Sequence, residues 1–411
     1  MPDLRFLHDR LRRVRDDHAI RILKSYRHDG IHLIDQQDRR LVNFAANDYL
    51  GFAAENYFAA RDSPTGSGAS LLVTGMTADH TELSQRLAQF KSTESAVLFP
   101  SGYAACSGTI AALAGPNDLI LSDALNHASL IDGCRIAAAE KMIYPHRDVA
   151  TVASLLAKHR SRFRRVWIVT DSVFSMDGTI APLPGLCDLA NQYDALMVVD
   201  EAHATGVLGK DRSGATAALN VKQHVAIRIG TLSKAIGAHG GFVAGPEVLI
   251  EYLINFCRPL IFSTAGSPQT IAAANHHLGR IMKDATLTRR VHANTKRLRE
   301  SIRKLHQNVE TVNDAVENAM RRDGKAPFDS VPRDSIAYWE SVVPIVPVIL
   351  GDNQRAVDAS RRLADAGYHV PAIRPPTVPE NTSRLRISVS AAHSESQIRG
   401  LAKQLCGREI R

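Results

Sequence analysis

No stretch of about 20 apolar residues occurs in this 411-residue chain, so nothing in it reads as a membrane-spanning helix. The N-terminus has no apolar core of the kind a secretory signal needs. Cysteine is scarce: Cys106, Cys134, Cys187, Cys257 and Cys406 are scattered without C-x-x-C spacing. That argues against a zinc site and a disulfide framework, and points to a reducing cytoplasm. A phosphate loop of the form G-x-x-x-x-G-K-[ST] is absent too. A net charge of +8 favours an acidic partner or substrate. Arginine is spread along the chain rather than gathered in one tract, so nucleic acid is not the expected partner. What remains is a globular composition, 45% hydrophobic and 22% charged, with length for two or three domains.

The chain opens with Leu4, Leu7, Leu11, Val14, Ile20 and Leu23 at helical spacing over residues 1–27, surrounded by Arg5, Arg10, Arg12, Arg13, Arg15 and Arg21. This predicts an amphipathic helix with a basic face, which as a solvated face need carry no function. Residues 31–34 and 41–44, separated by the polar run 35–39, predict a hairpin that delivers 43–51 as a turn. Residues 63–75 are rich in Gly, Ser and Thr and read as a loop.

From 81 to 245, short apolar strands alternate with helical stretches. Strands are expected at 96–99, 119–121, 142–144, 166–170, 196–199, 227–229 and 242–244, with helices at 80–90, 151–160 and 186–193. Such alternation predicts an α/β architecture with a mainly parallel seven-stranded sheet whose ligands bind at the strands' carboxyl ends.

The polar turns fall just after those strands. Pro100-Ser101-Gly102-Tyr103 opens a helix with backbone N–H groups free for a phosphate. His127 follows the second strand, Ser175 the fourth, and Asp200-Glu201-Ala202-His203 the fifth. The sixth ends in Thr231-Leu232-Ser233-Lys234, with glycines at 237, 240, 241 and 245. A lysine ending a buried strand suits a Schiff-base amine, because burial lowers its pKa and frees the neutral nucleophile. Each turn alone has an ordinary structural explanation; their order fits pyridoxal 5'-phosphate. Lys234 would hold its aldehyde, Asp200 would keep its ring nitrogen protonated, and His203 would bond the ring hydroxyl. A helicase shares the string Asp-Glu-Ala-His but needs the missing phosphate loop, and metal binding by His203 with His127 or Glu201 lacks suitable spacing.

These residues resemble the α-oxoamine synthase family of fold-type I pyridoxal-phosphate enzymes over nearly the whole chain. The motifs are NDYLG at 47–51, GSGASLLVTG at 66–75, FPSGYAA at 99–105, LNHASLIDG at 125–133, FSMDG at 174–178, DEAHATGVLG at 200–209, TLSKAIGAHGG at 231–241 and IRPPTVPENTSRLRISVSAAH at 373–393. The resemblance implies catalytic roles for Lys234, His127, Asp200 and His203. Gly102 and Tyr103 would contact the cofactor, His127 would stack on its ring, and Ser175 and Thr231 would bond it. Ser263 and Thr264 would reach the phosphate of a partner subunit, implying a homodimer. Asn47 and Arg386 would hold an amino-acid carboxylate, with Arg21 and Thr377 as substrate contacts. A planar guanidinium suits that task, although Arg386 by itself reads as an edge-strand arginine.

The run 373–379 implies L-alanine and a pimeloyl thioester as substrates, the acyl group riding on coenzyme A or on acyl carrier protein. Other members of the family, and a scaffold that keeps the fold without catalysis, are the alternatives; retention of Lys234, Asp200, His203 and His127 argues against the scaffold. The chain departs from the pattern twice, being shorter between 52 and 64 and longer between 312 and 344. The organisation expected is an N-terminal segment at 1–46, a large cofactor domain at 47–267 and a smaller C-terminal α/β domain at 268–411. The last would hold helices over 272–305, 356–366 and 395–405, and strands at 345–350 and 385–389.

Overall fold

A computed structural model describes residues 4–55, 64–305 and 335–406. Its first strands are β1 (Arg27–Asp29), β2 (His32–Ile34) and β3 (Arg40–Asn43). The main sheet is formed by β4 (Ser95–Phe99), β5 (Asp118–Asp123), β6 (Glu140–Tyr144), β7 (Arg165–Asp171), β8 (Leu196–Asp200), β9 (Ile227–Thr231) and β10 (Gly241–Gly245), in the order β4-β10-β9-β8-β7-β5-β6. β5 to β9 run parallel, and β10 runs antiparallel to both β9 and β4.

All seven expected strands are present. Alternation along them explains why both sheet faces are apolar: Leu119, Leu121, Met197 and Val199 join one core, while Ile120, Val169, Val198 and Ile229 join the other. Helices cover both faces, so these strands carry continuous apolar runs. Each run ends in a polar residue that still belongs to the strand. Asp123, Asp171, Asp200 and Thr231 close β5, β7, β8 and β9, and Asp171 stands opposite Asp200 in register.

A second sheet contains β11 (Ile345–Gly351), β13 (Ala372–Ile373) and β14 (Ser383–Ser388), in the order β11-β14-β13. It packs on the helix Asn353–Asp365, and the helix Glu395–Leu405, opened by a reciprocal Ser394–Gln397 cap, joins the same core. The short strand β12 (Tyr368–His369) pairs parallel to β3, so the N-terminal hairpin and this C-terminal segment share a sheet.

Several expectations are corrected. The N-terminal helix spans only Arg5–Asp16 and buries none of its residues. His18 takes the left-handed conformation at φ 52°, and Asn353 and Arg374 take the carbonyls of Asp17 and His18, drawing the chain away before Ile20 and Leu23. The hairpin gains β1 as a third strand. Within 63–75, Leu71–Gly75 coils into one wide helical turn rather than open loop, and buried Gly75 has backbone oxygens where a Cβ would stand. The helical run 272–305 is two helices, Pro268–Lys283 and Thr286–Leu305, because the Asp284 carboxylate accepts the Thr286 N–H at 2.8 Å and caps the second.

Of the lengthened stretch 312–344, residues 312–334 lie outside the described residues. Its end forms the helix Ile336–Glu340, with Trp339 buried and donating to the Ala218 carbonyl at 3.0 Å. Of the shortened stretch 52–64, residues 56–63 lie outside them as well. Among the described residues, no helix is long and apolar enough to cross a membrane.

Candidate active site

Lys234 sits in the turn that joins β9 to β10. The turn is closed by Leu232 N donating to the Gly240 carbonyl at 3.0 Å and Ala238 N to the Leu232 carbonyl at 2.8 Å. Thr231 Oγ1 donates to the same Gly240 carbonyl at 2.9 Å and lies 2.8 Å from Ser233 Oγ. Burial lowers the Lys234 amine to a pKa of about 8, opposed by the Asp200 and Asp171 carboxylates. At neutral pH roughly a tenth of it is therefore free base, some hundredfold more than for an ordinary lysine.

The amine stands 2.8 Å from His203 Nε2, and the Tyr49 hydroxyl 2.6 Å from His203 Nδ1. Burial, with the Lys234 cation beside it, holds the His203 pKa well below its usual value. A neutral imidazole accepts at one nitrogen and donates at the other. With Lys234 protonated, Nε2 accepts and Nδ1–H donates to the Tyr49 oxygen. Tyr49 then donates to Asn47 Oδ1 at 3.3 Å, which also accepts from Arg386 Nη2 at 3.0 Å. A chain of hydrogen bonds thus runs from the amine to the guanidinium.

Arg386, on β14, is held on its other nitrogens. Nε donates to the Ser175 carbonyl at 2.5 Å and Nη1 to Ser388 Oγ at 2.7 Å. The guanidinium reaches the site already oriented, as gripping a carboxylate requires. Its neighbour Arg384 pairs with Asp177, fixing the 174–178 turn against the same strand.

Asp200 ends β8. Its Oδ1 accepts Ala202 N–H at 2.8 Å, and Oδ2 lies 3.2 Å from Cys106 Sγ. Glu201, beside it, faces the other way into a buried pair with Lys91 at 2.8 Å, where Thr205, Thr216 and the Ser213 carbonyl complete the partners. Glu201 therefore pins the turn and makes no contact with Lys234 or His203.

The helix Gly102–Leu113 points its N-terminus at this group, with Ser101 Oγ accepting Ala104 N–H at 3.0 Å. A Cβ on Gly102 would stand 3.1 Å from Thr231 Cβ, and one on Gly241 would meet the Ser101 carbonyl at 2.5 Å. Only glycine lets strand and helix end approach so closely. His127 caps the helix Ala128–Ile136, its backbone N–H held by Asp171 at 2.6 Å and its Nδ1 by Ser129 Oγ at 2.7 Å. The edge of Tyr103 faces its ring at 6.5 Å, and the Tyr103 hydroxyl is bonded to Asp132.

The fold thus gathers Lys234, His203, Asp200, Thr231, Gly102, Tyr103 and His127 at the sheet's carboxyl edge, and brings Asn47, Arg386 and the Ser175 backbone to them. Arg21 and Thr377 meet each other at 3.2 Å, but on exposed surface. Thr264 bridges to Ser70, and Ser263 and Thr264 line a small cavity with Pro100 and His239. Spacing gave no warning of Tyr49 or Cys106. Tyr49 lies 154 residues from His203 and Cys106 lies 94 from Asp200, although Asp171 was detectable as a second acid ending a parallel strand.

A buried amine with a lowered pKa, a carboxylate with lone pairs left to accept, an open imidazole face and a helix N-terminus together match the aldehyde, ring nitrogen, ring and phosphate of pyridoxal phosphate. The comparisons agree. The family profile "Aminotransferase class I and II" matches residues 39–405. This chain belongs to that family, and within it to the α-oxoamine synthases, fold-type I enzymes that work with pyridoxal phosphate. It is 42% identical over 373 residues to the 8-amino-7-oxononanoate synthase of Anaeromyxobacter dehalogenans, covering 89% of this chain and 86% of that one. The Geobacter sulfurreducens enzyme of the same name is 39% identical over 394 residues, 94% of each chain. The serine palmitoyltransferase structure of Sphingomonas wittichii superposes with a TM-score of 0.84 at 25% identity, covering 100% of this chain and 99% of that one.

Proposed function

We propose that this chain condenses L-alanine with a pimeloyl thioester, releasing carbon dioxide and the free thiol and forming 8-amino-7-oxononanoate for biotin biosynthesis. The observation that carries the reading is the buried Lys234–His203 contact beside Asp200 and Arg386, in a chain about 40% identical to enzymes of that name.

Bound pyridoxal phosphate supplies an aldehyde for an amine and a protonated ring that draws electrons from the amino acid's α-carbon. Lys234 would hold the cofactor and, with alanine bound in its place, would take the α-proton; its pKa near 8 keeps enough free base for that work. Asp200 would keep the proton on the ring nitrogen by charge, while the bare Nε2 of neutral His203 would accept a hydrogen bond from the ring hydroxyl. Gly102, Tyr103, Thr231 and Ser175 line the cofactor's place. Arg386 and Asn47 hold the alanine carboxylate, and His127 polarises the thioester carbonyl. The α-carbon, its proton removed, attacks the thioester carbonyl carbon and forms the new C–C bond, and as the C–S bond breaks the thiolate leaves with a proton. The carboxylate then departs as carbon dioxide, and the α-carbon takes a proton in its stead.

The remaining assignments belong to the same proposal. The protein works as a cytoplasmic homodimer, with Ser263 and Thr264 serving the partner's phosphate site. Arg21 and Thr377 contact the acyl donor. The chain divides into an N-terminal segment 1–46, a cofactor domain 47–267 and a smaller domain 268–411. If acyl carrier protein brings the donor, the arginines of the exposed helix Arg5–Asp16 steer it.

The test is a matrix of amino acids against acyl thioesters, on coenzyme A and on carrier protein, with product read by mass spectrometry. Alanine with pimeloyl thioester should exceed every other pair; preference for glycine or serine with another acyl group would refute the substrate assignment.

A further inference from the structure

We propose that Cys106 is a positioning residue for Asp200: its thiol donates to the carboxylate and sets the orientation in which that carboxylate meets the cofactor's ring nitrogen. The inference rests on the cofactor reading above.

Cys106 lies one turn into the helix Gly102–Leu113 and is 1% exposed. Its Sγ is 3.2 Å from Asp200 Oδ2, and Ala202 N–H holds Oδ1 at 2.8 Å. Each carboxylate oxygen therefore has one donor, and the two donors come from different elements. Rotation about the Cβ–Cγ bond breaks at least one of these contacts, so the pair fixes the plane of the carboxylate and the direction of its unused lone pairs. Burial and the adjoining Asp200 charge push the thiol's pKa well up, so it remains an S–H donor.

The choice of sulfur has a consequence. A thiol is a weak donor, so it orients Asp200 while leaving most of the negative charge to act on a ring nitrogen. Alanine would leave Oδ2 buried without its donor, which is costly. Serine would keep the donor at somewhat shorter reach. Asp171, in register with Asp200 on the neighbouring strand, and Ser129 also stand close enough to influence the thiol. The alternative partner for a thiol that released Asp200 is therefore Ser129, and the two arrangements can be told apart directly.

Infrared difference spectra of wild type minus Cys106→Ala isolate one S–H band among the five cysteines. A charged acceptor lowers its frequency, and Asp200→Asn should return it toward that of a free thiol. In steady state, Cys106→Ala should lose about tenfold in kcat with little change in KM for alanine, as expected for loss of one hydrogen bond to a charged group. Cys106→Ser should recover to within about threefold of wild type. An S–H band indifferent to Asp200→Asn overturns the proposal, and so does a serine variant no more active than the alanine one. Protein that takes up no pyridoxal phosphate would refute the cofactor reading instead; the infrared comparison needs no cofactor and still decides whether the thiol grips Asp200.

Discussion

At the carboxyl ends of β7, β8 and β9, Asp171, Asp200, His203 and Thr231 are at most 5% exposed, and each is tied to at least one other element. The rim around Arg21 and Thr377 differs: its contacts are exposed hydrogen bonds between residues about 350 apart, and the helix leading into it buries nothing. The first region is positioned by the sheet itself, because parallel strands in register bring their last residues to one edge. The second is positioned by a few side chains reaching across the surface. Substitution should accordingly act sharply in the first and gently in the second.

The largest effect belongs to Lys234→Ala. On the proposed roles, nucleophile and base vanish together, so turnover should fall by a factor on the order of a thousand or more while the protein still binds cofactor. Turnover within tenfold of wild type would break the contrast. Asp200→Asn keeps the shape but removes the charge proposed to hold a proton on the ring. Its kcat should drop about a hundredfold with fold and melting temperature near wild type, checked by stopped-flow kinetics and calorimetry.

The pH response should be intermediate in size. Lowering the amine's pKa to about 8 means that the reactive neutral form grows as pH rises and is nearly complete above that value. The rate at which the apoprotein captures the cofactor aldehyde should climb about tenfold per pH unit below 8 and flatten above it. A plateau reached only near the ordinary lysine value would show that burial does not tune this amine.

The smallest effect is expected at the rim. Changing Arg10, Arg12 and Arg13 to Gln should leave kcat unchanged and alter kcat/KM by a few-fold at low salt, only for a donor carried on acidic acyl carrier protein. A coenzyme A thioester should respond less. Equal salt slopes for both donors would leave the helix as solvated surface.

Apolar runs separated by polar turns were enough to place all seven strands of the main sheet and the turns that follow them, because most of these strands are buried on both faces and so carry short continuous apolar runs. The N-terminal helix was overextended because apolar spacing continues past Asp16 while the backbone turns at His18, and that turn is stabilised by Asn353 and Arg374 from the far end of the chain. The 272–305 run hid its break for a more local reason, the Asp284 cap, which the periodicity of the flanking residues overrode.

By itself the sequence determined the alternating layers, the carboxyl-edge location of the site and the residue types available for imine and carboxylate chemistry, since all three depend on local pattern and strand order. Tertiary structure alone decided the partners: His203 between Lys234 and Tyr49, Arg386 against Asn47 and Ser175, and Cys106 on Asp200. Spacing along a chain carries no record of such pairings. They arise where distant elements exclude water together, and it is that exclusion, not the identity of the lysine, that lowers the amine's pKa to about 8.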